Sequence, residues 1–568
     1  MAASKEVEKP KAKKVKPVYP VSVSGILWKM ITLGIVDAVV FFMIMVMVAQ
    51  ERVTEAIVAV IVALIINWIY LRRGGLPAKY LAPGVLFLIV FQVYVLLFSG
   101  YTAFTNYGSA HNGDQNLAIQ TIKNANYRVL DGEDFTPVAV VDNKDNQPAL
   151  LLTSNLDGKV YIGKDGKEKV EVPEGSFTLS KTCIDIYDED TVNCAKAAIQ
   201  AKGFRAVDLK NLSAFEKRKY DSLRVVTDPT NPNVGIKANG LGTDTALAST
   251  IQVTLSFDEK TKYFTALEDD ENGKFMAGDV FKPATNGYYH VDGDIKKAHL
   301  DAGWRVEVGL KNFETIFTDE QLRAPLFKVI TWTFIFAFAT VGTTFLLGMA
   351  IAFLFNHEKL KGKRFYRSVM ILPYAFPAFL SAYVWVGLLN KEHGFINTVL
   401  LGQPADGDGN IPWLLEEGPA RIAVLLVNLW LGFPYMFLIV TGALQSIPGE
   451  LTEAARIDGA SPWQSFRLIK LPLLLVSIAP LLISSFAFNF NNFTIIYLLT
   501  KGGPNDSGVT DYDVGGTDIL ITFVYKIAFS GTGQNYGLAS AFSILIFIVI
   551  GTLSLISFRR TRTLEDIN

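Results

Sequence analysis

Cysteine is almost missing from this 568-residue chain: there are two, Cys183 and Cys194, and both fall in one stretch. Histidine is scarce as well, at five, and His111, His290, His299, His357 and His393 are scattered. Ligands so few and so dispersed exclude a zinc constellation, and no metal site is expected. No G-x-x-x-x-G-K-[ST] loop occurs, so the chain cannot cradle ATP in the Walker manner by itself. Neither sign of charge prevails, with 53 Lys plus Arg against 54 Asp plus Glu. That balance excludes a basic nucleic-acid binder and an acidic tail protein, and no nucleic-acid partner is expected. The apolar stretches hold no paired carboxylates and no Ser/His/Asp grouping, which leaves a membrane enzyme unsupported and the set of catalytic residues empty.

What the chain has in quantity is apolar length. Half of its residues are hydrophobic and 19% are charged. The charges are depleted from eight runs near 26–48, 54–71, 80–98, 326–355, 367–390, 421–447, 471–499 and 533–558. Each is long enough, or nearly so, to cross roughly 30 Å of hydrocarbon at about 1.5 Å per residue. The fold class expected is an all-α polytopic membrane bundle of about eight transmembrane helices, with membrane lipid as its solvent. The second run is the shortest, yet it ends at Trp68, Tyr70, Arg72 and Arg73 as an interface should. The lysine-rich start, 5–16, is polar, and the first apolar run is too long for an ordinary signal peptide, so it reads as an inside tail and first anchor.

Lys and Arg in short loops resist translocation and so report orientation. The amino-terminal tail, Arg72 with Arg73 and Lys79, the group Lys359, Lys361, Lys363, Arg364 and Arg367, the group Arg456, Arg467 and Lys470, and Arg559, Arg560 and Arg562 all fall on one side of an eight-span path. That side is the cytoplasm, with both termini inside. The loops 406–417 and 502–518, on the other side, are acidic or neutral.

Between the third and fourth spans lie roughly 225 residues, 99–323, too many for a loop without structure of its own. They read as an inserted extracytoplasmic domain of mixed α/β type. Ala149-Leu150-Leu151-Leu152 followed by Asn155-Leu156-Asp157-Gly158, then Val160-Tyr161-Ile162, has the pattern of a β-hairpin. A helix is expected around 191–202. Both cysteines lie in this domain, where an oxidising surround makes Cys183–Cys194 a disulfide candidate. The layout is thus 1–25 basic tail, 26–98 helices 1–3, 99–323 outer domain, 324–558 transmembrane core and 559–568 tail.

The most telling segment follows the sixth span: Glu453-Ala454-Ala455-Arg456-Ile457-Asp458-Gly459-Ala460, then Ile469, Leu471 and Pro472. Pro448 starts a short helix that Gly459 ends, and Ser461, Pro462 and Gln464 form a capping box for a second. Small side chains at Ala454, Ala455, Gly459 and Ala460 let another surface approach closely, while Glu453 and Asp458 fix orientation. The result is a docking knob, in the segment 449–472. The pattern E-A-A, three residues, G, nine residues, I-x-L-P resembles the EAA loop of the permease subunits of ABC importers. In that family the loop is a coupling helix seated in a cytoplasmic ATPase.

A narrower resemblance, to the larger permease of maltose/maltodextrin importers, rests on the eight-span layout, the outer domain after span three, Ile371-Leu372-Pro373-Tyr374-Ala375, the phrase 428–435 and the phrase 485–493. It covers 310–560 closely and the first hundred residues by layout; in the outer domain it rests on position and size. The resemblance implies a second, shorter permease, a homodimeric ATPase, a soluble sugar-binding protein, and alternating access driven by ATP. No cofactor is implied in this chain; ATP and Mg are used by the partner subunits.

A sugar offers hydroxyls and apolar ring faces, so its site wants amides and aromatic rings together. Asn489, Asn491 and Asn492, interleaved with Phe488, Phe490 and Phe493 in the seventh span, supply both. By resemblance the substrate-binding set is Tyr374, Asn428, Leu431, Gly432, Tyr435, Phe488, Asn489 and Asn492, and the ATPase-coupling set is Glu453, Ala454, Ala455, Asp458, Gly459 and Ala460. Ala378 departs from the family's Ser and removes one hydroxyl. The other reading of the same residues is packing and interhelical hydrogen bonding, preferred for Phe490 and Phe493. Pro373, Pro377, Pro434 and Pro480 each remove a backbone donor and can kink their spans. A secondary transporter normally holds a coupling charge in its core; the runs after Arg421, Lys470 and Lys526 have none, and Asp37 in the first span reads as an interhelical group. An anchored sensor would not require the EAA segment.

Overall fold

The computed structural model describes residues 23–49, 52–72, 75–185, 192–209, 212, 214–231, 233–243, 246–270, 272–356, 360–405, 407–505, 514–530 and 534–565. The chain divides into an amino-terminal unit ending at Phe98 and a larger unit from Ser99. The first consists of α1 (Val23–Ala49), α2 (Val53–Leu71) and α3 (Leu76–Leu88), which runs through a π turn at Ile89–Val93 into α4 (Tyr94–Thr102), whose last turn belongs to the larger unit. These helices are apolar nearly all round, as a span in hydrocarbon must be. Within the unit, Asn67 Nδ2 donates to Asp37 Oδ1 at 2.7 Å, so the acid of the first span does tie two helices together.

The larger unit opens with a mixed α/β region. Helix α5 (Gln115–Ala125) begins at Asp114, whose carboxylate accepts from Leu117 N. The strands are β1 (Tyr127–Val129), β2 (Phe135–Asp142), β3 (Pro148–Ser154), β4 (Val160–Lys164), β5 (Val170–Glu171), β6 (Phe177–Asp185), β7 (Val192–Ala201) and β8 (Phe204–Ala206). After α6 (Ala214–Asp221) come β9 (Arg224–Val226), β10 (Val234–Asn239), β11 (Leu247–Val253), β12 (Leu255–Asp258), β13 (Tyr263–Ala266), β14 (Val280–Pro283) and β15 (Tyr289–Val291). A nine-stranded sheet runs β5-β4-β3-β2-β11-β10-β9, with β1 on β11 and β8 on β2. Beside it stand a four-stranded meander, β12 to β15, and the hairpin β6–β7. The expected hairpin at 149–162 is β3–β4, with Leu151 opposite Ile162.

Leu150, Leu151 and Leu152 are all fully buried, because β3 has one core on each face. Leu150 and Leu152 meet Tyr220 and Leu223 from the α6 side, and Leu151 meets Ala198 of β7. Each is worth about 1.5–3 kcal/mol of burial. This is also why 191–202 is not a helix: Val192–Ala201 is strand β7, paired antiparallel along β6. Its alanines favour helix, but propensity is a weak local preference, and the partner strand with the sheet face behind it outweighs it. The register sets Cys183 directly opposite Cys194, while their side chains lie outside the described residues.

The two chain segments that enter and leave this region are stitched together. Thr105 and Glu307 form an antiparallel bridge, and Asn312, in α7 (Lys311–Thr318), donates to the Ala103 and Thr105 carbonyls, each at 2.8 Å. Nearby, burial and then the charge of His299 lower the pKa of His111 to about 4.

The carboxyl half is helical: α8 (Glu320–Asn356), α9 (Lys363–Ala375), α10 (Ala378–Leu388), α11 (Glu417–Ser446), α12 (Gly449–Ile457), α13 (Pro462–Ser465), α14 (Leu471–Phe490), α15 (Phe493–Thr500), α16 (Leu520–Phe529) and α17 (Tyr536–Glu565). Among the described residues seven helices of the whole chain are long and apolar enough to cross a membrane, or eight when a bent pair counts as one. That pair corrects the fifth expected span: α9 and α10 meet at 89°, because Pro377 cannot continue the hydrogen-bond ladder and holds Phe376 extended. Pro434 and Pro480 sit inside helices that continue through them.

The seventh span is corrected too. It starts at Pro462, passes through a π turn at Phe466–Lys470, ends at Phe490, and is followed by α15 as a separate helix. Helices α8 and α11 pack closely: a Cβ on Gly348 would sit 2.7 Å from Phe437 N, and one on Gly432 would sit 2.9 Å from Thr344 Cγ2.

Candidate functional site

The seventh span breaks where its asparagines are. Asn491 closes α14, and Asn492 opens α15 with its side-chain oxygen accepting from Ile495 N at 3.5 Å. Asn residues compete with helix through such local bonds, which is why the run lies at a break and not in the middle of a continuous span. Asn428 comes from mid-α11 to meet them. Its Nδ2 donates to Asn489 Oδ1 at 2.8 Å and to Thr340 Oγ1, on α8, at 3.2 Å; Asn492 Nδ2 donates to Asn428 Oδ1 at 3.3 Å and lies 3.5 Å from Asn489 Oδ1. Asn489 Nδ2 donates to the Ser485 carbonyl at 2.9 Å.

All three amides are more than nine-tenths buried and bind one another across three helices, so the interhelical role is realised. Some capacity is left over. The second Nδ2 hydrogen of Asn489 has no partner among the described residues, and Asn428 Oδ1 and Asn492 Oδ1 each accept a single bond there, which leaves each a lone pair.

The other expected sugar contacts fall on neighbouring surface. Asn428, Leu431, Gly432 and Tyr435 share one face of α11, Tyr435 standing about 10 Å from Asn428 by helix rise. Tyr374 stacks on Tyr435 with ring centres 6.3 Å apart and planes at 17°. Leu431 is half-buried in the cluster that holds Trp332 and Val427. Gly432 is a close-packing residue against Thr344. Phe488 is 71% exposed and joins no aromatic pair among the described residues. Phe490 is core, packed edge-on to Phe334 at 5.1 Å, and Phe493 stacks on Tyr497 at 4.9 Å, as the packing reading has it.

The segment 449–472, expected to be a docking knob, folds locally as its residues dictate. Helix α12 ends with the Ala460 amide bonded to the Ala455 carbonyl at 2.9 Å and the Gly459 amide to Arg456 at 3.2 Å, a closure that puts Gly459 at φ +80°. Ser461 and Gln464 exchange the two bonds of a capping box. Glu453, Ala454, Asp458 and Gly459 are exposed, Ala455 is buried and Ala460 half-buried. Ile457, 87% exposed, and Trp463 stand out beside them. Neither belongs to the motif, and the signal that marks them is a large apolar side chain left mostly exposed on a short loop helix, Trp463 touching only one ring, Phe466 at 5.3 Å, among the described aromatic pairs.

A second feature was visible only as a lone charge in an apolar run. Lys526 of α16 is buried against Asp518, Nζ to Oδ2 2.7 Å, with the Gly515 amide donating to the same oxygen at 2.8 Å. Burial pushes the Asp518 carboxyl up, against the pull of Lys526. Asp518 Oδ1 has no partner among the described residues and faces Gly502, where any Cβ would overlap it. The same layer holds Trp332 Nε1 to the Thr517 carbonyl at 3.2 Å and Arg421 Nε to that of Gly516 at 2.9 Å, with the Arg421 guanidinium 4.6 Å from the Trp332 ring centre.

Residues 344–561 match the family described as "Binding-protein-dependent transport system inner membrane component", and 86–166 match "N-terminal of TM subunit in PBP-dependent ABC transporters". The chain is 32% identical over 548 residues to the maltose/maltodextrin transport system permease protein MalF of Salmonella typhi, covering 95% of this chain and 97% of that one. To the protein of the same name from Escherichia coli (strain K12) it is 31% identical, covering 94% and 96%. Among solved structures, a bacterial ABC transporter involved in the import of the acidic polysaccharide alginate is similar at 24% identity and a TM-score of 0.39, covering 45% of this chain and 84% of that one. Identity of this degree along nearly the whole of both chains makes the protein a member of the MalF family of ABC-importer permeases, a multi-pass transport subunit.

Proposed function

We propose that this chain carries maltose and maltodextrins across the cytoplasmic membrane as the larger of two permease subunits of an ATP-driven importer. The observation that supports it most is the near-complete alignment with permeases named for those sugars. In this reading both termini are cytoplasmic, the domain 99–323 is extracytoplasmic and helps to hold a soluble sugar-binding protein, and a homodimeric ATPase seats the loop 449–472. Closure of that ATPase on ATP and Mg reaches the spans through Glu453, Ala454, Ala455, Asp458, Gly459 and Ala460. Sugar then occupies the wall formed by Tyr374, Asn428, Leu431, Gly432, Tyr435, Phe488, Asn489 and Asn492. Tyrosine rings supply stacking faces, and the unspent donor of Asn489 with the spare lone pairs of the amides supplies hydroxyl contacts. The missing hydroxyl at Ala378 favours, as a second reading, another oligosaccharide on the same architecture.

The test is ATP hydrolysis by the purified complex in lipid discs, titrated with binding protein and maltose, maltotriose or an unrelated solute. Stimulation that needs binding protein and is strongest with maltodextrins is expected; stimulation by the unrelated solute alone would overturn the sugar. In the outer domain we propose that Cys183 and Cys194 are bonded, since opposed positions of an antiparallel pair lie within disulfide reach. Both thiols should resist alkylation in the unreduced protein and react after reduction. Labelling without reductant would refute the bond.

A further inference from the structure

The three asparagines can be oriented without ambiguity, because each end of their network meets a backbone group that plays one part only. The Ser485 carbonyl can only accept, so Asn489 must turn Nδ2 toward it and Oδ1 toward the other two amides. The Ile495 N–H can only donate, so Asn492 must turn Oδ1 toward it and Nδ2 toward Asn428. Asn428, in the middle, therefore presents Oδ1 to Asn492 and Nδ2 to Asn489. One hydrogen of Asn428 Nδ2 remains, and it is directed at α8, where Thr340 Oγ1 receives it at 3.2 Å. Thr340 is itself fully enclosed, and its hydroxyl is where α8 joins the network by a side chain.

We propose that Thr340 is a positioning residue for sugar passage: its hydroxyl fixes the Asn428 amide, and through it the direction in which Asn489 offers its free N–H. The inference rests on the sugar-site reading above. Remove the hydroxyl and Asn428 keeps a buried N–H without an acceptor; it must rotate to find one and release Asn489 Oδ1. Valine has the shape of threonine without the acceptor, and serine has the acceptor without the methyl.

The experiment reconstitutes the full complex in vesicles and follows radiolabelled maltose uptake at saturating binding protein, alongside ATP hydrolysis. Thr340→Val should lower uptake roughly five- to tenfold, about the worth of one hydrogen bond, with binding-protein-stimulated ATP hydrolysis retained and with Thr340→Ser close to the parent. Unchanged uptake in Thr340→Val, or an equal fall in uptake and hydrolysis that serine does not spare, would overturn the proposal. Should the valine variant fail to assemble, Thr340→Ala removes the same acceptor with less bulk and is judged by the same two rates. Asn489→Ala in parallel separates the two ideas: normal uptake there sinks the sugar site itself, whereas impaired uptake there with a normal Thr340→Val sinks only the role of Thr340.

Discussion

Gly459→Asp is expected to abolish sugar uptake in a complex whose membrane chain is made and inserted normally. The backbone at Gly459 sits at φ +80°, where a side chain costs about 1 kcal/mol, and aspartate tolerates this region better than most residues. Nothing lies within 4 Å of the Cβ position, so the fold accepts the substitution. The damage falls on whatever docks there. A carboxylate beside Asp458 and within the same corner as Glu453 adds an unpaired charge to a surface that small residues leave open to close approach. Burying such a charge costs several kcal/mol, enough to empty the interface. The measurement is uptake together with copurification of the ATPase subunit, with Gly459→Ala as the neutral control. Normal uptake by Gly459→Asp would remove the coupling role of the corner.

Lys526→Met should be the most destabilising single substitution at the Asp518 end of the helical half. Breaking a buried ion pair by deleting one member costs about 3–5 kcal/mol, because the other charge stays desolvated. Here the survivor is Asp518, pressed on Gly502 with one oxygen already unpartnered among the described residues. The layer it anchors also carries the Trp332 and Arg421 bonds to Thr517 and Gly516, so loosening is not confined to one side chain. Thermal unfolding of the complex in detergent should show a clear drop for Lys526→Met and recovery of much of it in Asp518→Asn/Lys526→Met, where both charges are gone. A single variant as stable as the parent, or a double variant no better than the single, would contradict this account.

Much of this molecule could be read from residues alone, and what could not has physical causes. The spans are legible because hydrocarbon demands about twenty consecutive apolar residues whatever lies around them. The corner at Gly459 is legible because its proline, glycine and capping box act within a few residues of one another. Hydropathy, however, is blind to backbone direction, so the 89° turn after Phe376 and the break at Asn491 were hidden inside runs that count as continuous. The stretch 191–202 misled because alanine-rich composition speaks for helix locally, whereas its fate is decided by strand β6 and the leucines of β3. Asn428 and Thr340 stand 88 residues apart, and nothing local to either announces that they meet. For the same reason the amides read from sequence first as ligand groups, with interhelical bonding as the other reading, and the geometry shows the interhelical bonds.

The stitching of Thr105 to Glu307 and of Asn312 to Ala103 has a consequence for how such a chain can vary. Because the inserted region leaves at Thr105 and re-enters at Glu307 side by side, its two ends keep the same short spacing whatever is strung between them. The entropy of closing so long a loop falls on the insert's own folding and not on the helical scaffold. The insert is then a modular pendant that evolution, or an engineer, can lengthen, shorten or exchange without re-registering the helical scaffold beneath it.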